Sequence, residues 1–321
     1  MLPSRDGVSP SCVALPSGSW LSVAEFLAQR LPKVSLSDWQ ARMACGEVLD
    51  EQGLAIPPQA AYRPQSKVYY YRHVPQEARI PFDETVIYQD DYLVVADKPH
   101  FLPVTPSGRY VQETLLVRLK RKLGIDTLSP VHRIDRDTAG LVLFTIQPET
   151  RGAYQRLFRE RCVIKHYEAI APWRADLSLP MVHRSRLKEM EGPAFMQMQE
   201  ISGEPNAETR LDLIEQHGLL AHYRLSPVTG QKHQLRAHMT ALGIPILNDP
   251  IYPILLPDAP PDHSKPLQLL ARSLAFTDPI TGQARQFESQ RQLRFPSDQS
   301  WPQDLIKNRS CTTTDLTGGK S

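Results

Sequence analysis

Cysteine is scarce and dispersed in this chain of 321 residues. Cys12, Cys45, Cys162 and Cys311 stand far apart, with no CxxC and no Cys/His ligand spacing. That excludes a disulfide frame or a zinc site as the organising device and fits reduced thiols in a cytosolic protein. Long apolar runs are missing too: none approaches the ~18 residues of a membrane span. The opening MLPSRDGVSP has no apolar targeting core, so a soluble, cytoplasmic protein with no membrane partner is expected. An HxE…PCxxC pair is absent, which disfavours a zinc nucleobase deaminase. No GxGxxG follows a strand, which disfavours a dinucleotide enzyme.

Net charge is likewise small, at +2, but it is unevenly placed. Residues 1–90 carry 8 Lys and Arg against 10 Asp and Glu, whereas residues 105–188 carry 16 against 8. A positive middle in a near-neutral chain points to a local anionic partner rather than general stickiness, although a solvated basic face reads the same way. At 41% hydrophobic content the length supports one large core with a smaller satellite domain,.

Residues 1–18, rich in Pro, Ser and Gly, read as a loose leader. Ser22-x-x-Glu25 has capping-box spacing ahead of Ala24, Leu27 and Leu31, and Ser37-x-x-Gln40 marks a second short helix ending near Gly46,. With the β-rich VYYYR at Val68–Arg72, these make a small α/β domain over 19–74. A linker over 75–86 leads to the main domain, 87–296, in which VIYQDDYLVVADKP reads as two short strands around an Asp-Asp turn,. Leu115, Leu119 and Leu123 mark a helix, Lys165–Ile170 a strand, and 297–321 a floppy polar tail,. There is no internal repeat. Strands outnumber helices without a regular βαβ alternation, so the fold class is α+β, with a mostly antiparallel mixed sheet flanked by helices.

The stretch VHRIDRDTAGLVLF, Val131–Phe144, is the one the chain is organised around. Six of the seven residues from His132 to Thr138 are polar or charged, and an apolar run follows Gly140. A charged loop feeding a buried strand places ionisable groups at the rim of a core, where burial and neighbours tune a carboxylate. Taken alone it also reads as a solvated turn. Hydrolytic pairs are conceivable, Asp135 with Asp137 or Cys162 with His166, but neither spacing secures the geometry such chemistry needs.

Three segments together resemble the RluA family of pseudouridine synthases. HRIDRDTAGLVLF resembles that family's HRLDxxTSGLLLF motif; DDYLVVADKPHFLPVTP resembles its upstream Lys-Pro segment. TGQKHQLRAHMTALGIPILNDPIY resembles its TGRxHQIRxH segment with a GDxxY extension. The match runs from about Ile87 to Phe276 with order and spacing intact. The N-terminal helices and hairpin are similar to an S4-type RNA-binding domain, with few Lys or Arg (Arg30, Lys33, Arg42) along them.

What the resemblance implies is isomerisation of uridine to pseudouridine in ribosomal or transfer RNA, by a monomer, without cofactor or metal. The motif's Asp, here Asp135, would act at C1′ as glycosidase carboxylates do. Arg236 would keep it anionic, and Tyr167 would stack on the uracil and serve proton removal from C5. Arg133 would fill the space left by the flipped nucleotide, with His132, Lys165 and Leu269 completing the substrate contacts. The basic residues Arg118–Lys122 and Arg151–Lys165 would hold phosphates. Departures from the family pattern are Ala139 for Ser, Asp97 for Asn, His100-Phe101 for a small-residue turn, Asn248 for Gly and Leu270 for a frequent His. The alternative expectation is a catalytically silent RNA-binding protein of the same architecture.

Overall fold

The computed structural model describes residues 2–72, 77–192, 196–257 and 259–296. The expected tail, 297–321, lies outside the described residues, as do positions 75 and 76 of the expected linker.

The N-terminal unit comprises β1 (Ser11–Ala14), α1 (Val23–Arg30), α2 (Leu36–Ala44), β2 (Val48–Leu49) and β3 (Lys67–Tyr70). Its antiparallel sheet has the order β1-β3-β2. Ser22 caps α1 by accepting from the Glu25 N–H, as its spacing predicts. The cap of α2 is Ser35 rather than Ser37: its hydroxyl accepts from the Asp38 N–H at 3.1 Å and donates to the Asp38 carboxylate at 2.7 Å. A short acid three residues on makes Ser35 the better cap.

The expected loose leader is a correction. Within residues 2–18, β1 pairs with β3 in register from Ser11–Tyr70 to Ala14–Lys67. Leu15 enters the core of the N-terminal unit beside Phe26, Leu27 and Trp39, and Val8 packs against Val111 and Val117 of the larger domain. Burial of these apolar side chains stabilises an order that Pro and Ser content alone does not suggest.

The rest of the chain builds a large sheet. In chain order its strands are β4 (Thr85–Gln89), β5 (Leu93–Lys98), β6 (Ser129–Pro130), β7 (Ala139–Thr145), β8 (Ile164–Pro172), β9 (Met181–Glu189) and β10 (Met198–Ile201). There follow β11 (Ala207–His217), β12 (Leu220–Pro227), β13 (Leu269–Thr277) and β14 (Ala284–Glu288). The order across it is β10-β9-β11-β12-β8-β13-β7-β5-β4, with β14 on β13 and β6 on β7. Pairing is antiparallel except between β13 and β7. The fold is therefore α+β, and β4 begins inside the stretch expected to be linker.

Helices α3 (Leu115–Leu123), α4 (Arg151–Arg159) and α5 (Gln234–Ala241) flank the sheet. Strands β5 and β7 are buried at every position. On β8 and β13, Tyr167 pairs with Ala271 and Ala169 with Leu269. Alternation puts all four side chains on one face. Leu235 and Met239 of α5 pack on that face.

Gly140 fixes where the charged loop meets this frame. Its φ is +111°, and a Cβ there would lie 2.3 Å from the Ala271 carbonyl oxygen. Only glycine lets β7 approach β13 this closely.

The expected phosphate-binding patch on α3 is also a correction. Arg118 is turned inward, pairing with Glu84 and Glu113 and donating to the Phe82 and Ile80 carbonyls. Lys120 is buried and donates to the Ser9 hydroxyl, while Arg121 donates to the Asp6 carbonyl. A helix pressed between the N-terminal unit and the 77–84 segment has few faces left for solvent. On α4, by contrast, Arg156 and Arg159 remain exposed, and among the described residues the acid that each pairs with is Glu160.

Candidate active site

The loop between β6 and β7 carries Asp135, and the two backbone carbonyls that follow it, those of Arg136 and Asp137, are both held. Lys98, at the end of β5, donates from Nζ to the Pro99 and Arg136 carbonyls, both at 2.9 Å. His100 Nδ1 lies 2.7 Å from the Asp137 carbonyl oxygen. A carbonyl can only accept, so that nitrogen bears the proton. Arg136 forks onto the Asp137 carboxylate at 2.9 and 3.2 Å.

His132 is part of this support. Its Nε2 accepts from the Leu143 N–H at 3.1 Å, and its ring stacks on Phe158 with centroids 4.4 Å apart. Burial, then the nearby Lys165, pushes its pKa down to about 3, so it stays a neutral acceptor. One ring face and the acceptor nitrogen are thus taken up by the frame.

Arg236 arrives from α5. It is 1% exposed. Its Nη1 donates to Asp135 at 3.0 Å, while Nε and Nη2 fork onto Asp249 at 2.8 and 2.6 Å. Such a planar two-point pairing fixes the guanidinium's orientation, which a lysine could not do. The Asp249 carboxylate is itself held by the Ile251 and Tyr252 N–H groups, and the Tyr252 ring lies under the guanidinium at 5.4 Å. Just before Asp249, Asn248 sits at φ +62° and donates to the Pro266 carbonyl. Asparagine tolerates the left-handed region best after glycine, which explains its presence where the family motif has Gly.

Electrostatics follow from this packing. Burial alone would raise the Asp135 pKa, but Arg236 and then His233, whose Nε2 lies 3.8 Å away, hold it below the ordinary carboxylate value,. Its side chain keeps 29% of its surface accessible. Tyr167 goes the other way: burial, then the Asp135 charge, raises its pKa, so the free phenol is protonated. Lys98 is fully buried and is driven down to about 7, desolvation outweighing the attraction of Asp137 and Asp135.

The structure thus brings together Asp135, Arg236 and Tyr167, with Leu269 beside Tyr167 on the inner face. Lys165 lies on the same strand and donates to the Thr229 carbonyl at 3.3 Å. Arg133 is exposed, and no described side chain pairs with it. Three residues of the site were quoted within motifs but not singled out: Asp249, His233 and Lys98. Asp249 is findable as the acid of NDPIY, and Lys98 as the lysine of the Lys-Pro segment.

The stretch that holds the charged loop, its arginine-held carboxylate and the half-buried Tyr167, residues 92–241, matches the RNA pseudouridylate synthase family model. The dual-specificity RNA pseudouridine synthase RluA of Pasteurella multocida is 35% identical over 213 residues, covering 61% of this chain and 88% of that one. The protein of the same name from Haemophilus influenzae is 35% identical over 218 residues, 64% and 91% of the two chains. A mitochondrial tRNA pseudouridine(32) synthase of Saccharomyces cerevisiae is 34% identical over 186 residues, 57% of this chain and 39% of that one. Among solved structures, human RNA pseudouridylate synthase domain containing 1 shares the fold, with a TM-score of 0.54 at 20% identity over 67% of this chain and 86% of that one. The chain belongs to the RluA family of RNA pseudouridine synthases. Its chemistry is therefore that of an isomerase acting on RNA. Among the described residues no helix is long and apolar enough to cross a membrane.

Proposed function

We propose that Asp135 is the catalytic carboxylate in converting specific uridines of structured RNA, ribosomal or transfer, to pseudouridine. The observation that carries this is the 3.0 Å Arg236–Asp135 pair set against Tyr167. A carboxylate kept ionised in a mostly enclosed place is suited to meet an electron-poor C1′. The N1–C1′ bond breaks, the uracil turns within the pocket, and C5 bonds to C1′. The proton lost from C5 is balanced by one gained at N1, so no oxidant, reductant or water is consumed.

Tyr167 is protonated in the free enzyme, so it cannot begin as a base. Bonding of Asp135 to C1′ would cancel the negative charge that helps raise its pKa. The phenol then becomes a better proton acceptor at the stage where C5 must lose its proton. Leu269 would pack on the turning base, and Lys165 would hold the strand-end geometry at Thr229.

Everting the nucleotide costs on the order of a few kcal/mol. Arg133 would fill the vacated stack, a role that its exposure and its lack of a side-chain partner among the described residues support. Phosphate contacts fall to Arg156, Arg159 and their neighbours on α4 rather than to α3.

We further infer that residues 19–74, extended by the ordered segment before them, form an S4-like unit serving RNA placement. A cytoplasmic monomer fits the exposed thiols of Cys12, Cys45 and Cys162,. It also fits the scatter of exposed apolar side chains such as Leu21, Ile164 and Leu219 over separate elements,.

The test is to map pseudouridine across total RNA from cells carrying the wild type, no protein, or Asp135→Asn. Sites present with the wild type and lost in both others are expected. Sites surviving in Asp135→Asn would defeat the assignment of the carboxylate.

A further inference from the structure

One cluster of ligand-type side chains stands apart from the chemistry described above. His183 lies on β9, Glu200 on β10 and His238 on α5, and one donor atom from each falls within 4.8 Å of the other two. His183 Nε2 is 2.7 Å from Glu200 Oε1, and the two imidazole rings meet edge to face with centroids 4.8 Å apart. A hairpin His–Glu hydrogen bond needs no third group, and a buried helical histidine needs only polar partners for its two nitrogens. Three donors from three elements closing on one point exceeds what either requirement explains.

The surroundings are ordered as a metal site's are. The Gln231 N–H donates to Gln234 Oε1 at 3.0 Å, which fixes that amide so that its Nε2 donates to Thr209 Oγ1, also at 3.0 Å. The Thr209 oxygen in turn lies 2.9 Å from His238 Nδ1. A hydroxyl held in this way beside the far nitrogen orients a ligating imidazole. Among the described residues, the hydrogen-bond partner of His238 Nε2 is the Ser185 hydroxyl, at 3.1 Å, a group free to rotate aside. His183 and Glu200 keep 18% and 29% of their side-chain surface accessible, which leaves an entry path.

We propose that His183, Glu200 and His238 bind one divalent transition-metal ion of the zinc class, with a further position open to water. Two imidazoles and one carboxylate are a ligand set such ions favour, and bond lengths of about 2.0–2.2 Å set tetrahedral donors about 3.4 Å apart, between the 2.7 Å of the His183–Glu200 pair and the 4.8 Å that bounds all three. The ion would clamp the β9–β10 hairpin onto α5, the helix that also carries Arg236. It takes no part in the isomerisation. No motif announces it, because the three donors come from separate stretches of chain.

The full chain, stripped with a chelator, is titrated with Co²⁺ while its visible ligand-field absorption is followed, and Zn²⁺ is then added as competitor. One equivalent of Co²⁺ should saturate the band, and Zn²⁺ should abolish it. Glu200→Gln and His183→Ala should each weaken binding at least about 10–100-fold, and Zn²⁺ should raise the thermal midpoint of the wild type but not of the double variant. Absence of a saturable band in the wild type overturns the proposal. So does a band that the double variant keeps, since the metal would then sit elsewhere, for instance on the exposed cysteines.

Discussion

Replacing Arg236 with glutamine isolates what keeps Asp135 ionised. The guanidinium is 3.0 Å from Asp135 and is shared with Asp249. An opposite charge at that range lowers a carboxylate pKa by about 1–3, equivalent to about 1.4–4 kcal/mol in favour of the anion. Burial of Asp135 pushes the other way. In Arg236→Gln the acid limb of the kcat/KM profile should therefore move to higher pH, with about 10- to 1000-fold lost where the carboxyl has become protonated. A single variant is ambiguous, because Asp249, with none of its side chain exposed, is left as a buried unpaired charge at about 3–5 kcal/mol. Pairing Arg236→Gln with Asp249→Asn removes that charge and should recover most of the stability. The displaced acid limb should persist. Release of tritium from C5 of uridine-labelled RNA across pH reads the limb, and thermal unfolding reads the fold. The same coupling appears in wild-type stability. The Asp135 contribution is full above the unfolded value of about 3.9 and is lost as pH falls through its lower folded value. If the double variant folds and its acid limb stays at the wild-type pH, Arg236 is not what holds the charge.

His100→Asn should retain near-native kcat, since its amide N–H falls where Nδ1 sits against the Asp137 carbonyl, whereas His100→Gln and His100→Ala should lower kcat about tenfold with KM little changed; steady-state kinetics decide, and equal losses in all three would refute the positioning role. Gly140→Ala should destabilise by about 3 kcal/mol or more, from positive φ and the collision with Ala271, and a denaturant midpoint within error of wild type would contradict the close β7–β13 approach. Arg118→Ala and Arg133→Ala should separate cleanly. The first should lose stability by about 3–5 kcal/mol through Glu84 and Glu113,, and the second should lose activity with an unchanged melting midpoint. The reverse pattern would restore α3 as the RNA face.

Local chemistry explains which parts of the fold could be read from sequence. Ser22 and Glu25 announce α1 because a cap is a contact within one turn,. Strands β5 and β7 are legible as apolar runs because both their faces are covered,. The order of residues 2–18 was not legible. Its stabilising contacts, Val8 with Val111 and Val117 and Leu15 with Trp39, span long sequence separations that composition cannot express. The basic run on α3 misled for a related reason. Four cations in five residues look like a phosphate patch until Glu84 and Glu113 are seen to face Arg118, and those acids lie in segments that read as linker and loop.

The site divides along the same line. Asp135 and Arg236 are 101 residues apart, and only the resemblance joined them; charge pattern alone left Asp137 as good a candidate. Once folded, the two acids of the loop differ in kind. Asp137 is bound by its neighbour Arg136 in an i, i+1 fork, which consumes its carboxylate locally. Asp135 is bound by one nitrogen of an arginine whose other two are spent on Asp249. That asymmetry matters for catalysis. Asp249 fixes the guanidinium, so under the proposed mechanism Asp135 would give up one hydrogen bond on meeting C1′ without the cation leaving the pocket. A single Arg–Asp pair could not do this, because neutralising its carboxylate would release the arginine as well. The acid of the NDPIY segment, Asp249, is therefore what the chemistry proposed for Asp135 would demand.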